Sequence, residues 1–177
     1  MREILFKAKQ VGDDEWVEGY YQKRYNFLGN EEHLIFHVDS HTVWEYTEIN
    51  LETLCQFTGL CDRYGNKIWE NDILKTWSGE YAQVKFGFYN TGFAIGNYNQ
   101  GFYAAFSEDS YYRHELGFWC KKAYVRGNIF DNKNYYRRIN NGETIIIIDT
   151  PDNCTKCTFI HRDYCSTTKF SYKMFLF

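Results

Sequence analysis

Residues 51–75 read LETLCQFTGLCDRYGNKIWENDILK. Asn50 stands ahead of Leu51-Glu52-Thr53-Leu54 and can cap a short helical turn there. Thr58-Gly59 and Asp62-x-x-Gly65-Asn66 are turn signals, because glycine accepts positive φ and Asp and Asn bond to nearby backbone. The run Ile68-Trp69-Glu70-Asn71-Asp72-Ile73-Leu74 then opens a strand at Asp72. Turns this close leave no room for a long helix and imply short strands.

Working outward, strands are expected at Glu3–Ala8, Trp16–Gln22, His33–Val38, Thr42–Tyr46, Asp72–Trp77, Tyr81–Phe88, Gly92–Tyr98, Phe102–Phe106 and Lys121–Phe130. Asp13-Asp14, Leu28-Gly29-Asn30, Ser78-Gly79-Glu80 and Asn90-Thr91-Gly92 punctuate them. A second short helix is expected over Glu108 to Phe118, with Ser107 as its cap. The class is mostly β, a β-rich α+β chain whose first part is an antiparallel sheet.

Several blocks carry a resemblance. They are Met1-Arg2-Glu3-Ile4-Leu5-Phe6-Lys7 followed by Trp16-Val17-Glu18-Gly19-Tyr20, the 51–75 stretch, Val84-Lys85-Phe86-Gly87 with Thr91-Gly92-Phe93, and Val125-Arg126-Gly127-Asn128-Ile129-Phe130-Asp131-Asn132. Together they resemble the YopX family of small phage and prophage proteins, which has no settled biochemical activity. Asn71 stands where that family usually has glycine, and the residues beyond Tyr136 have no counterpart in it. The resemblance implies an SH3-like small barrel. The expected organisation is therefore an N-terminal β-sheet at 1–50, the barrel at 51–136, and a linker with a C-terminal β appendage at 137–177. Thr144 to Asp149 and Phe170 to Phe177 are the apolar strands of that appendage.

Composition limits the function classes. A net charge of −3 argues against general binding to duplex DNA, which needs clustered positive charge. A single proline in 177 residues argues against a linker-rich or disordered chain. Sixteen Tyr, 15 Phe and 5 Trp suit a β core or a large binding surface, since Tyr and Trp join an apolar body to a polar tip. The four isoleucines Ile145 to Ile148, like every other apolar run in the sequence, are far too few to span a membrane. Charged Arg2, Glu3, Lys7 and Lys9 crowd the start with no apolar run behind them, so no secretory leader and a cytoplasmic location are expected. The six cysteines are then thiols or metal ligands rather than disulfides.

Cys154-x2-Cys157-x3-His161-x3-Cys165 offers three thiolates and an imidazole, a tetrahedral zinc set with spacings shorter than a zinc knuckle's. The competing reading is coincidence in a cysteine-containing tail. No other cofactor is expected. His33, His37, Asp39 and His41 share one face of a strand, as metal ligands or as the ordinary polar face of an antiparallel sheet. Tyr20, Tyr21, Lys23, Arg24 and Tyr25, and again Tyr135, Tyr136, Arg137 and Arg138, interleave rings with cations. That mixture can stack bases and hold phosphates of a single strand, or can be a sheet edge with snorkelling stems. Asp62, Glu70 and Asp72 cluster, but at turn and strand-entry positions where carboxylates serve the backbone.

There is no nucleophile elbow, phosphate-binding loop, dinucleotide fingerprint or His-Glu-x-x-His. The expectation is a non-enzymatic phage accessory protein that binds and modulates a host protein, such as a defence nuclease or a signalling component. A single-stranded nucleic-acid-binding module is the alternative. A homo-oligomer is expected from the aromatic content.

Overall fold

Hydrophobic alternation and tight turns build strands almost throughout. The computed structural model describes residues 3–38, 43–91, 98–106 and 113–132, all within one compact unit, Met1–Ile145. They form β1 (Phe6–Lys9), β2 (Trp16–Tyr25), β3 (Glu31–Val38), β4 (Trp44–Glu48), β5 (Cys55–Cys61), β6 (Lys67–Trp69), β7 (Asp72–Thr76), β8 (Tyr81–Asn90), β9 (Tyr98–Phe106) and β10 (Ala123–Asn128). A single 3-10 turn, Leu51–Thr53, has the expected cap: the Asn50 side chain accepts from the Glu52 amide. Of the expected Glu108–Phe118 helix, the described part is a single turn, α1 (Leu116–Trp119).

The strands make two antiparallel sheets. One runs β4-β3-β2-β1-β5-β6 and the other β10-β7-β8-β9. The fold is β-rich, as the turn spacing implies. The first sheet takes strands from both sides of residue 50. Ile35, Ala8, Val17 and Ile49 form a core on one of its faces. The second sheet buries Leu74, Ala82, Val84 and Ala104 under Leu116, Trp119 and Cys120 of the α1 segment. Each Val, Leu or Ile side chain so buried contributes roughly 1.5–3 kcal/mol.

The SH3-like barrel is a correction: neither sheet closes among the described residues. β5 pairs with β1 at its start and β6 at its end. The neighbouring edge of β10 meets a side chain, where the Asp62 carboxylate accepts from the Val125 amide at 2.9 Å.

β5 and β6 occupy what reads as turn in the sequence. Gly59, at φ 82°, lies inside β5, where the register with β6 shifts between Phe57 and Cys61. The glycine makes a bulge that strand pairing absorbs. Gly19 answers a different need. A Cβ there would sit 2.3 Å from the Phe36 carbonyl oxygen.

No helix among the described residues is long and apolar enough to cross a membrane.

Candidate functional site: an aromatic sheet face

Cross-strand partners share a face of a sheet. Tyr20 pairs with Phe36 and Phe36 with Tyr46, so three rings line up across β2, β3 and β4. Val38 pairs with Trp44 in the next row. Phe36 stacks on Trp44 at 4.5 Å and on Tyr46 at 4.6 Å between ring centroids. Tyr20, Trp44 and Tyr46 nevertheless remain 46 %, 54 % and 52 % exposed. The stripe reaches the sheet edge, because β4 is the terminal strand.

The rim of this stripe is acidic or balanced. Glu48 lies on the aromatic face of β4, and Glu45 stands on the reverse of the same strand; both are exposed. Among the described residues neither carboxylate has an ion-pair partner. Arg24 reaches over the Tyr46 ring at 5.8 Å, but its Nε bonds Glu32 at 2.7 Å. Lys23 bonds Glu31 at 2.6 Å. Hydrogen bonds from Lys23 and Arg24 hold Glu31 and Glu32 below the usual carboxylate range. The two cations are therefore each paired with a carboxylate.

The anticipated ring-and-cation cluster divides between faces. Tyr20 and Arg24 join the stripe. Tyr21 turns to the reverse face, where its hydroxyl lies 2.7 Å from His33 Nδ1. Tyr25, also on the reverse side, donates to Glu31. Tyr135, Tyr136, Arg137 and Arg138 lie outside the described residues, as do Cys154, Cys157, His161 and Cys165. Of the histidine strand, His33 meets Tyr21, and His37 Nε2 lies 2.8 Å from Thr47 Oγ1. Asp39 and His41 lie outside the described residues. Phe36, Trp44 and Tyr46 went unremarked as a site in the sequence. Trp44 and Tyr46 are two apart, but only the strand register brings them onto Tyr20 and Phe36.

Asp62 and Asp72 of the 51–75 stretch are spent on architecture. The Asp62 carboxylate accepts from the amides of Tyr64, Asn66 and Val125 and from the Asn66 side chain. Burial pushes its pKa up, and these bonds outweigh it and hold the group below the ordinary value. Asp72, 1 % exposed, accepts from Lys7 Nζ at 2.8 Å, the Trp69 amide at 2.8 Å and Asn128 Nδ2 at 3.0 Å. Burial pushes Asp72 up, and Lys7 offsets only part of that. Lys7 also lies over the Trp16 and Trp69 rings. Cys55 sits beside this cluster with its thiol pushed up to about 12 by burial, which removes it as a nucleophile. Cys120 is also buried and its thiol raised, whereas Cys61 is exposed. Burial also raises Glu70.

The stretch Asn128 to Asn132 completes a clasp between the sheets. Asn128 binds Asp72, Phe130 packs against Trp16, and Asp131 takes both Lys9 Nζ at 2.8 Å and Trp16 Nε1 at 2.8 Å. The family model described as YopX protein matches residues 6–135. The chain belongs to the YopX family. No curated protein matches it. Trp16, Asp72, Asn128, Phe130 and Asp131 of this clasp fall in blocks that resemble the YopX family. Asn71, where the YopX family usually has glycine, has φ 65°, the left-handed region that glycine enters most easily and Asn next.

Proposed function

We propose that the chain is a non-enzymatic, phage-type binding protein that acts in the bacterial cytoplasm by occupying a host protein. The docking surface is the stripe of Tyr20, Phe36, Trp44 and Tyr46. The observation that carries this reading is the exposure of stacked rings at a sheet edge. Isolated exposed apolar residues are ordinary, whereas a contiguous aromatic patch marks a contact surface, and Tyr and Trp dominate binding hot spots. Glu45 and Glu48 fit a partner that presents Lys or Arg beside an apolar centre. The partner class is a host defence nuclease or a signalling protein, whose basic surface a −3 chain can cover. The carboxylates that a catalytic reading would use are instead bound to backbone amides and Lys7.

The test has two arms. Tagged chain and a Trp44→Ala/Tyr46→Ala variant are used to capture partners from host cells. The partner held by the wild type alone is then purified and titrated. Loss of its activity at one-to-one stoichiometry supports the reading; an activity unchanged through the titration counts against it. Single-stranded DNA offered at low salt tests the alternative. Tight binding to it, abolished by the same variant, would replace the protein partner.

A further inference from the structure

The β8–β9 hairpin carries a second apolar surface, without the charged rim of the first. On one face, β8 presents Ala82, Val84, Phe86 and Phe88, paired with Phe106, Ala104, Phe102 and Gln100 of β9. The inner half is core: Ala82, Val84 and Ala104 are fully buried against the α1 segment. The same face then continues outward, and Phe86, Phe88 and Tyr98 are 55 %, 71 % and 65 % exposed. Phe86 is held edge-on against Phe102 at 5.1 Å, which anchors that ring on the sheet.

We propose that this face is where a second copy of the chain docks. Two observations choose that occupant. First, none of the residues named on this face carries a formal charge at neutral pH. A two-fold contact places each residue near its own counterpart or neighbours, so a charged patch repels itself and a neutral one does not. The aromatic stripe on the first sheet, with Glu45 and Glu48 at its edge, fails that condition. Second, the area is of the right order. At roughly 200 Å² per aromatic side chain, the exposed parts of Phe86, Phe88 and Tyr98 come to about 400 Å². That is about half of the ~800 Å² that each partner buries in a standard interface, leaving the surrounding hairpin to supply the rest.

The experiment uses the full chain. Light scattering after size exclusion at tens of micromolar is expected to give twice the chain mass of 21.3 kDa. Phe88→Lys and Phe88→Glu, each placing like charges across the two-fold contact, are expected to weaken association at least tenfold. Both should keep the wild-type circular dichroism spectrum, since Phe88 is largely exposed. Mixing the two variants is expected to restore a dimer, because opposite charges then meet. The Trp44→Ala/Tyr46→Ala variant is expected to remain dimeric. A monomeric wild type overturns the proposal. So does a dimer that survives both Phe88 substitutions, or one lost on substitution of Trp44 and Tyr46. Because capture of a host partner does not enter this readout, its failure is separable from failure of the binding function above.

Discussion

Lys7 and Asp72 bind across 65 positions of sequence, with Asp72 almost wholly buried. Breaking a buried pair by removing one partner leaves the other charge uncompensated, which costs about 3–5 kcal/mol. Lys7→Met is therefore expected to lower the urea midpoint sharply at neutral pH. Because burial raises the folded pKa of Asp72, its contribution is present below the ordinary value of 3.8 and is lost as pH rises through the raised value. Asp62 has the opposite sign. Its folded pKa is lowered, so its contribution is present above 3.8 and is lost as pH falls through the lowered value. Asp62→Asn replaces an acceptor by a group with a donor end and is expected to cost about 1.5–3 kcal/mol at pH 7. Urea melts from pH 7 down to pH 3 should show the gap between wild type and Asp62→Asn narrowing. A constant gap would deny the carboxylate its role. Gly19→Ala drives a Cβ against a strand carbonyl, and overpacking of that kind costs about 1–3 kcal/mol. A melting temperature equal to wild type would contradict the close approach.

Elements show what sequence can and cannot reveal. β3, β7 and β8 were legible because alternating apolar residues met clear turns. β5 was hidden, because Thr58-Gly59 looks like a turn and is a bulge within a strand. β9 runs unbroken through Gly101, which pairs with Gly87 across the hairpin. Glycine on both strands lowers strand propensity without ending the pairing. The resemblance to a barrel pointed to closure, but Asp62 covers the β10 edge with a side chain. The binding stripe was half legible. Tyr20 and Arg24 stood out by ring-and-cation spacing, whereas Phe36, Trp44 and Tyr46 join them only through register. Register is a long-range property fixed by which side chains must share a core. At this scale, Trp44→Ala and Tyr46→Ala are expected to leave the melting temperature within about 2–4 °C of wild type, since both rings are half exposed. Each is expected to weaken partner binding roughly 30-fold or more, the size of a hot-spot truncation. Calorimetry on the purified pair checks both numbers.

For the whole molecule, the two sheets carry different surfaces on one clasp. Lys7–Asp72–Asn128 and Lys9–Asp131–Trp16 join β1 and β2 to β7 and to the chain at and after β10. The acidic aromatic edge of the first sheet is proposed for a partner unlike itself, and the neutral hairpin of the second for a second copy of the chain. Family membership was readable because each matching block is a short local run, and the 51–75 block is dense in turn residues. The use of the surfaces was not, because each draws on strands far apart in the chain. Amide hydrogen exchange, on the chain alone and in complex with the captured host partner, tests the central assignment most directly. Protection on binding is expected across β3 and β4, from Glu31 to Glu48, with the β8–β9 hairpin unchanged. Unchanged exchange from Glu31 to Glu48, with protection elsewhere, would contradict it.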